Sequence, residues 1–286
     1  MSQVINQHIT AIKLLHQITF LVLLCLPVGH ALAELMLYPT RIIFEGNQRA
    51  AQIELINSGN EDVTYRISLV NRRMSETGAF SAIDVPLPDE QFADDKLRYS
   101  PRQITLAPGV GQTVRIMLRK PPKLAIGEYR SHLLFSKQAD PSGSTSVESS
   151  GAANDQISVV INTLIGASIP VIMRHGSTEA SVALTQLDLR RTVDKAPVLA
   201  FVMERTGNQS VYGDLTVSFI SYGGSEQVIE RANGVAVYTP NALRRVSILL
   251  KQSNGLRLTN GALRVTYREQ AEDGGALLSE AVLQLP

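Results

Sequence analysis

QISVVINTLIGASIPVIMRHG, residues 156–176, is too apolar for an exposed hairpin strand and too interrupted by Gly166 and Pro170 for a helix. In an extended chain Ile157, Val159, Ile161, Thr163 and Ile165 share one side, and Ser158, Val160, Asn162, Leu164 and Gly166 share the other. Both sides carry large aliphatic groups. Two structures produce this pattern: a central strand covered on both faces, or a strand with one face on its own core and the other kept for a partner.

Upstream of this stretch, QADPSGSTSVESSGAAND (138–155) has almost nothing to bury and predicts a long loop. From Glu34 to that loop the chain is a series of short runs cut by turn residues: LMLYPTRIIF, AAQIELIN, VTYRISLV, LRYS, QITL, TVRIML and EYRSHLLF. Runs of four to ten residues at this spacing predict an antiparallel sandwich, and no 3.6-residue stripe competes with it. After the connector RHGSTEA a second series begins: ASVALTQLDL, PVLAFVMER, DLTVSFISY, VAVYT, RVSILLK, ALRVTYRE and ALLSEAVLQL. Turns are predicted between these at Gly223-Gly224, Asn233-Gly234, Asn254-Gly255, Asn260-Gly261 and Asp273-Gly274-Gly275. The fold class read from this is all-β, two immunoglobulin-like β-sandwich domains, with boundaries at 34–174 and 175–286.

Residues 1–33 predict a secretory signal peptide: Lys13, the apolar run Ile18–Val28, and the small-residue ending Ala31-Leu32-Ala33. The run is shorter than the roughly 18 to 20 residues of a spanning helix, so no membrane insertion of the released chain is expected. The single cysteine, Cys25, lies inside this segment. The remaining 253 residues have no thiol and must be held by their cores, and they suffice for two cores of about 100 to 150 residues. Their 26 basic residues balance 26 acidic ones, with no basic block to suit nucleic acid.

Chemical motifs are sparse. Gly109-Val110-Gly111 is followed by no helix, and Val114 stands where a dinucleotide fingerprint needs glycine. No G-x-S-x-G elbow accompanies the two histidines outside the leader, His132 and His175, and neither a metal site nor a cofactor is expected. Asn208-Gln209-Ser210 matches a glycosylation sequon that recurs by chance. No catalytic residue is nominated. The total absence of Trp counts against a secreted adhesion or carbohydrate-binding module, the alternative reading for two sandwiches behind a leader.

Four blocks in order resemble the periplasmic pilus-assembly chaperones of the chaperone-usher pathway, the PapD-like family. They are TRIIFEG (40–46), LRYSPRQITLAPGVGQTVRIMLRKP (97–121), GEYRSHLLF (127–135) and IPVIMR (169–174). The resemblance spans nearly the whole chain after the leader. It implies two domains in an L-shaped arrangement and an ATP-independent periplasmic protein that lends its long seventh strand to a pilus or fimbrial subunit lacking one. The subunit then passes to an outer-membrane usher. Lending a strand to an open groove is a known mode of β-augmentation. On that reading Val159, Ile161, Thr163 and Ile165 are the plugs, and the three aliphatic members contribute about 5 to 9 kcal/mol from burial. Gly166 and Pro170 leave open which parity faces outward.

The resemblance also implies that Arg41 anchors the subunit's terminal carboxylate, since a guanidinium fork fits a carboxylate. The family pairs that arginine with a lysine, which in this chain falls at Pro170. Arg41 alone, Arg102 or Lys137 are the alternatives for supplying the charge. Arg174 resembles the family arginine that fixes the interdomain angle through carboxylate pairing. Whether the free protein caps its apolar strand as a homodimer is not set by these motifs.

Overall fold

A computed structural model describes residues 35–83, 85–138, 166–194, 196–251 and 257–286. The leader, the serine-rich stretch and the four plug positions Val159, Ile161, Thr163 and Ile165 lie outside the described residues, as does the expected turn at Asn254-Gly255.

The period-two apolar patterns fold as strands with alternate side chains inward. β1 (Leu35–Tyr38) and β2 (Ile42–Phe44) come from what reads in sequence as one run, and β3 (Ala50–Asn57) and β4 (Val63–Val70) follow. A hairpin of β5 (Arg72–Met74) and β6 (Phe80–Ala82) precedes β7 (Leu97–Ser100), β8 (Gln103–Leu106), β9 (Gly111–Leu118), β10 (Gly127–Lys137) and β11 (Gly166–His175). One sheet has the order β1-β3-β9-β7 and the other β2-β11-β10-β4-β8. The chain changes sheets between β1 and β2 at Pro39, whose peptide bond is cis. Ile53, Leu55, Val114, Ile116, Leu133, Phe135, Val171 and Met173 fill the core between the two sheets.

The second sandwich comprises β12 (Ala180–Arg191), β13 (Pro197–Gly207), β14 (Val211–Ser221), β15 (Glu226–Val237), β16 (Leu243–Leu249), β17 (Gly261–Arg268) and β18 (Leu277–Leu285). Its sheets run β12-β13-β16 and β15-β14-β17-β18. Leu199, Phe201, Leu215, Val217, Leu263, Val265 and Tyr267 lie in their shared core. Leu35–Pro286 cluster as one compact unit.

One expected turn is corrected. Asn233-Gly234 does not reverse the chain: β15 runs straight through it, and its pairing with β14 shifts register opposite Asp214. The extra residue makes a β-bulge. Gly234 supplies φ +67°, and its N–H donates to Asp214 Oδ1 at 2.8 Å. An Asn-Gly pair favours positive φ, which a bulge uses as readily as a hairpin turn does.

The β5–β6 hairpin escaped the sequence reading. Asn241 Nδ2 donates to the Met74 carbonyl at 2.9 Å, and the Arg245 N–H donates to the Glu76 carbonyl at 2.6 Å, so the hairpin is bonded to the second sandwich. Gly78 has φ +86°, which favours glycine, and a Cβ there would lie 2.4 Å from Arg244 Nη2 and push that side chain aside.

Candidate functional site at the junction of the sandwiches

β2 pairs parallel with β11, Val171 beside Ile42 and Met173 beside Phe44. Inward side chains Ile42, Phe44, Val171 and Met173 belong to the core, so alternation sends Arg41, Ile43, Pro170, Ile172 and Arg174 to the opposite face. On β10 the same face carries Glu128, Arg130 and His132, which pair in register with Arg174, Ile172 and Pro170. The second sandwich covers this face. Ile172 and Met74 pack with Ala236 and Tyr238 in a small apolar cluster, edged by Ile43 and Tyr212.

Arg41 enters this junction from the start of β2, its side chain 13% exposed. Its guanidinium lies 3.8 Å from the ring centroid of Tyr212, and Nη2 donates to Asp273 Oδ2 at 2.8 Å. A cavity of about 240 Å³ opens beside it, lined by Arg41, Arg174, Gln209, Tyr212, Glu269 and Asp273 among others. Arg102 and Lys137, the two substitutes considered for the lysine missing at Pro170, do not line this cavity. Arg102 lies over the Tyr99 ring at 5.4 Å, and Lys137 pairs in register with Tyr65 at the far end of β10. Arg174 is the second cation here.

Arg174 Nε donates to Glu128 Oε2 at 3.2 Å, and its Nη1 pairs with Glu45. The Glu128 side chain is fully buried. It also accepts from the Ser210 N–H at 3.0 Å, from the Ser210 hydroxyl, and from Thr239 Oγ1 at 3.4 Å. A buried carboxylate is tolerated only when its lone pairs are met in this way. Ser210 is therefore a structural residue, and the neighbouring Asn208 is engaged too: its side chain accepts from the Glu179 N–H and donates to the Ser177 carbonyl.

Arg130 is buried with far less support. It stacks on Tyr238 at 4.4 Å and reaches the Thr239 carbonyl at 3.5 Å, while Nε and Nη1 find no partner among the described residues. Burial lowers its pKa. His132, 5.3 Å edge-on from Phe80, is pushed down to about 3 by burial first and by the charges of Arg130 and Arg72 after it. So acid an imidazolium makes neutral His132 a poor base. Among the described residues no group of three His, Cys, Asp or Glu side chains is placed to hold a metal ion.

Sequence reasoning singled out Arg41 and Arg174 and missed Glu128, Ser210, Tyr212 and Asp273. The alternation in GEYRSHLLF puts Glu128, Arg130 and His132 on one side, but such a row reads equally as a solvated face.

The class these features define is an all-β chain of two sandwiches with a cavity where they meet, lined by two arginines and two carboxylates. No family model and no curated protein matches the chain. Among solved structures it is similar to the YadV chaperone at 12% identity, over 88% of this chain and 100% of that one, with a TM-score of 0.43. It is similar to the CupB2 chaperone of Pseudomonas aeruginosa at 11%, over 88% and 100%, with 0.43. A third is the CsuC-CsuE chaperone–tip adhesion subunit pre-assembly complex from archaic chaperone-usher Csu pili of Acinetobacter baumannii, at 12%, over 88% and 98%, with 0.42. At such identities and scores these likenesses assign neither a family nor an activity.

Proposed function

We propose that this protein is a periplasmic, ATP-independent and non-enzymatic chaperone for pilus or fimbrial subunits, with an amino-terminal domain over 34–174 and a carboxy-terminal domain over 175–286. It holds each subunit by lending a β-strand and delivers it to an outer-membrane usher. One observation carries the reading: the open edge of β11 leads to Arg41.

On its outer side β11 pairs with β2 only at Val171–Met173. Residues 166–170 keep that edge free of the described strands, and a free edge is a template for another chain. A polypeptide laid along it meets the start of β2, where Arg41 stands. If its last residue is there, the added strand runs parallel to β11 and its terminal carboxylate reaches the guanidinium. The plug positions Val159, Ile161, Thr163 and Ile165 precede β11 in sequence, and on this reading they are the residues lent to the subunit's groove. A subunit with a missing strand has unpaired backbone and exposed core, and the lent segment covers both. The ordered blocks shared with the pilus-assembly chaperones point the same way.

The test is co-expression of the exported chain with a strand-deficient subunit and recovery of a one-to-one complex. Arg41→Ala and Ile161→Asp are each expected to abolish recovery. Undiminished capture by both variants would reject the contact surface.

A further inference from the structure

Resting on that reading, we infer that Asp273 is a built-in competitor for the incoming carboxylate, occupying Arg41 in the free protein and leaving it when a subunit's terminus arrives. The Arg41–Asp273 bond at 2.8 Å joins residues 232 apart in sequence, one on the first sandwich and one on the second. Asp273 closes a short 3-10 turn (Ala271–Asp273) in the β17–β18 connection and is 43% exposed, whereas Arg41 is 13% exposed. The aspartate can therefore move into water at little cost. The arginine, stacked on Tyr212 and set at the start of β2, stays.

The movement asked of Asp273 is one of its side chain. Gly274 and Gly275 follow at φ +108° and +68°, and a Cβ at either would touch nothing closer than 3.8 Å. No hydrogen bond from the Asp273 side chain to its own turn holds it in place among the described residues. Its N–H donates to the Gln270 carbonyl at 2.9 Å, which fixes the turn's backbone but not the carboxylate. Glu269 and Asp273 both line the cavity, and Arg174 is already committed to Glu128 and Glu45. Arg41 is thus the cation open to exchange, and Asp273 is the group to be exchanged.

Asp273 takes one donor of the Arg41 fork, Nη2, so a peptide's α-carboxylate that binds the fork through both oxygens there has to displace it. Ligands that also add a strand along β11 gain far more than this ion pair is worth, whereas small free carboxylates gain only the fork. Asp273 accordingly sets affinity rather than specificity: it lowers affinity for every carboxylate alike and leaves discrimination to the strand.

The experiment is isothermal titration of the full mature chain with a synthetic peptide copying a subunit's last strand, in free-acid and amidated forms. Parent, Arg41→Ala, Asp273→Asn and Asp273→Glu chains are compared. Asp273→Asn is expected to bind the free acid about two- to fivefold more tightly than the parent, the scale of a partly exposed ion pair, with the amide unchanged. Asp273→Glu should stay near the parent. If the parent prefers the acid and Arg41→Ala loses that preference, but Asp273→Asn binds no better or worse, the competitor role is wrong and the chaperone reading stands. Equal or absent binding of both peptide forms by the parent overturns the chaperone reading and this inference together. A parental urea midpoint for Asp273→Asn separates altered binding from altered folding.

Discussion

The Ser210 N–H donates to Glu128 Oε2 at 3.0 Å, joining a fully buried carboxylate of the first sandwich to the backbone of the second. The Ser210 hydroxyl and Thr239 Oγ1 add to this from the same side, and Arg174 adds the compensating charge. Removing the carboxylate leaves a half-paired arginine and an unsatisfied N–H in a buried site. Glu128→Ala should cost about 3 to 5 kcal/mol. Urea unfolding of the variant is expected to split into separate transitions for the two sandwiches, whereas Glu128→Gln, which keeps one acceptor, should lose less. A single transition within about 1 kcal/mol of the parent would remove Glu128 from its role as the tie.

Acid should destabilise the protein in part through His132. Its folded pKa is about 3 and its unfolded value about 6.5, so the unfolded chain binds the extra proton between them. Stability therefore falls as pH drops below about 6.5 and keeps falling toward 3. At pH 4.5 this single group costs about 2 to 3 kcal/mol relative to pH 7.5. His132→Phe, which keeps a ring beside Phe80, should lose that much less stability over the interval in paired urea titrations. Parallel losses in parent and variant would show that His132 charges without opening the junction.

Arg130 presents the opposite case, a buried charge whose removal should be tolerated. Among the described residues it has the Tyr238 stack, a more distant Phe80 ring at 5.9 Å, one long hydrogen bond and the charges of Glu128 and Glu90 nearby. The stack is worth about 1 to 2 kcal/mol, and the desolvation of a guanidinium exceeds that. Arg130→Met should leave the urea midpoint unchanged or raise it, by up to about 4 kcal/mol in stability. A loss above about 2 kcal/mol would mean that Glu128 and Glu90 hold the charge more strongly than its burial opposes it.

Charge alone should not restore the anchor at Arg41. Lysine keeps the cation but loses the fork and the flat face that rests on Tyr212. Arg41→Lys is expected to recover at least about tenfold less subunit complex than the parent, the loss that goes with about 1.4 kcal/mol, while melting normally. Full recovery by the lysine variant would reduce the anchor to a simple electrostatic attraction.

Much of this architecture was legible in the residues. The alternation in AAQIELIN and TVRIML became β3 and β9 with Ile53, Leu55, Val114 and Ile116 inward, because a strand's side chains take opposite faces whatever surrounds it. Short signals with two uses misled. Asn233-Gly234 supplies positive φ, and only its pairing partner settles whether that makes a turn or a bulge. The β5–β6 hairpin carries little apolar periodicity, since it is held by Asn241 and Arg245 from a distant part of the chain.

By itself the sequence determined most of the strands and the two apolar cores, since these follow from local period and composition. Only the tertiary structure decided that the polar face of Arg41, Arg174 and Glu128 is buried under Ser210, Tyr212 and Tyr238, and that Arg41 meets Asp273. Alternation tells which side chains share a face. What covers that face depends on how two separately formed cores pack, and contacts between residues 232 apart have no local signature.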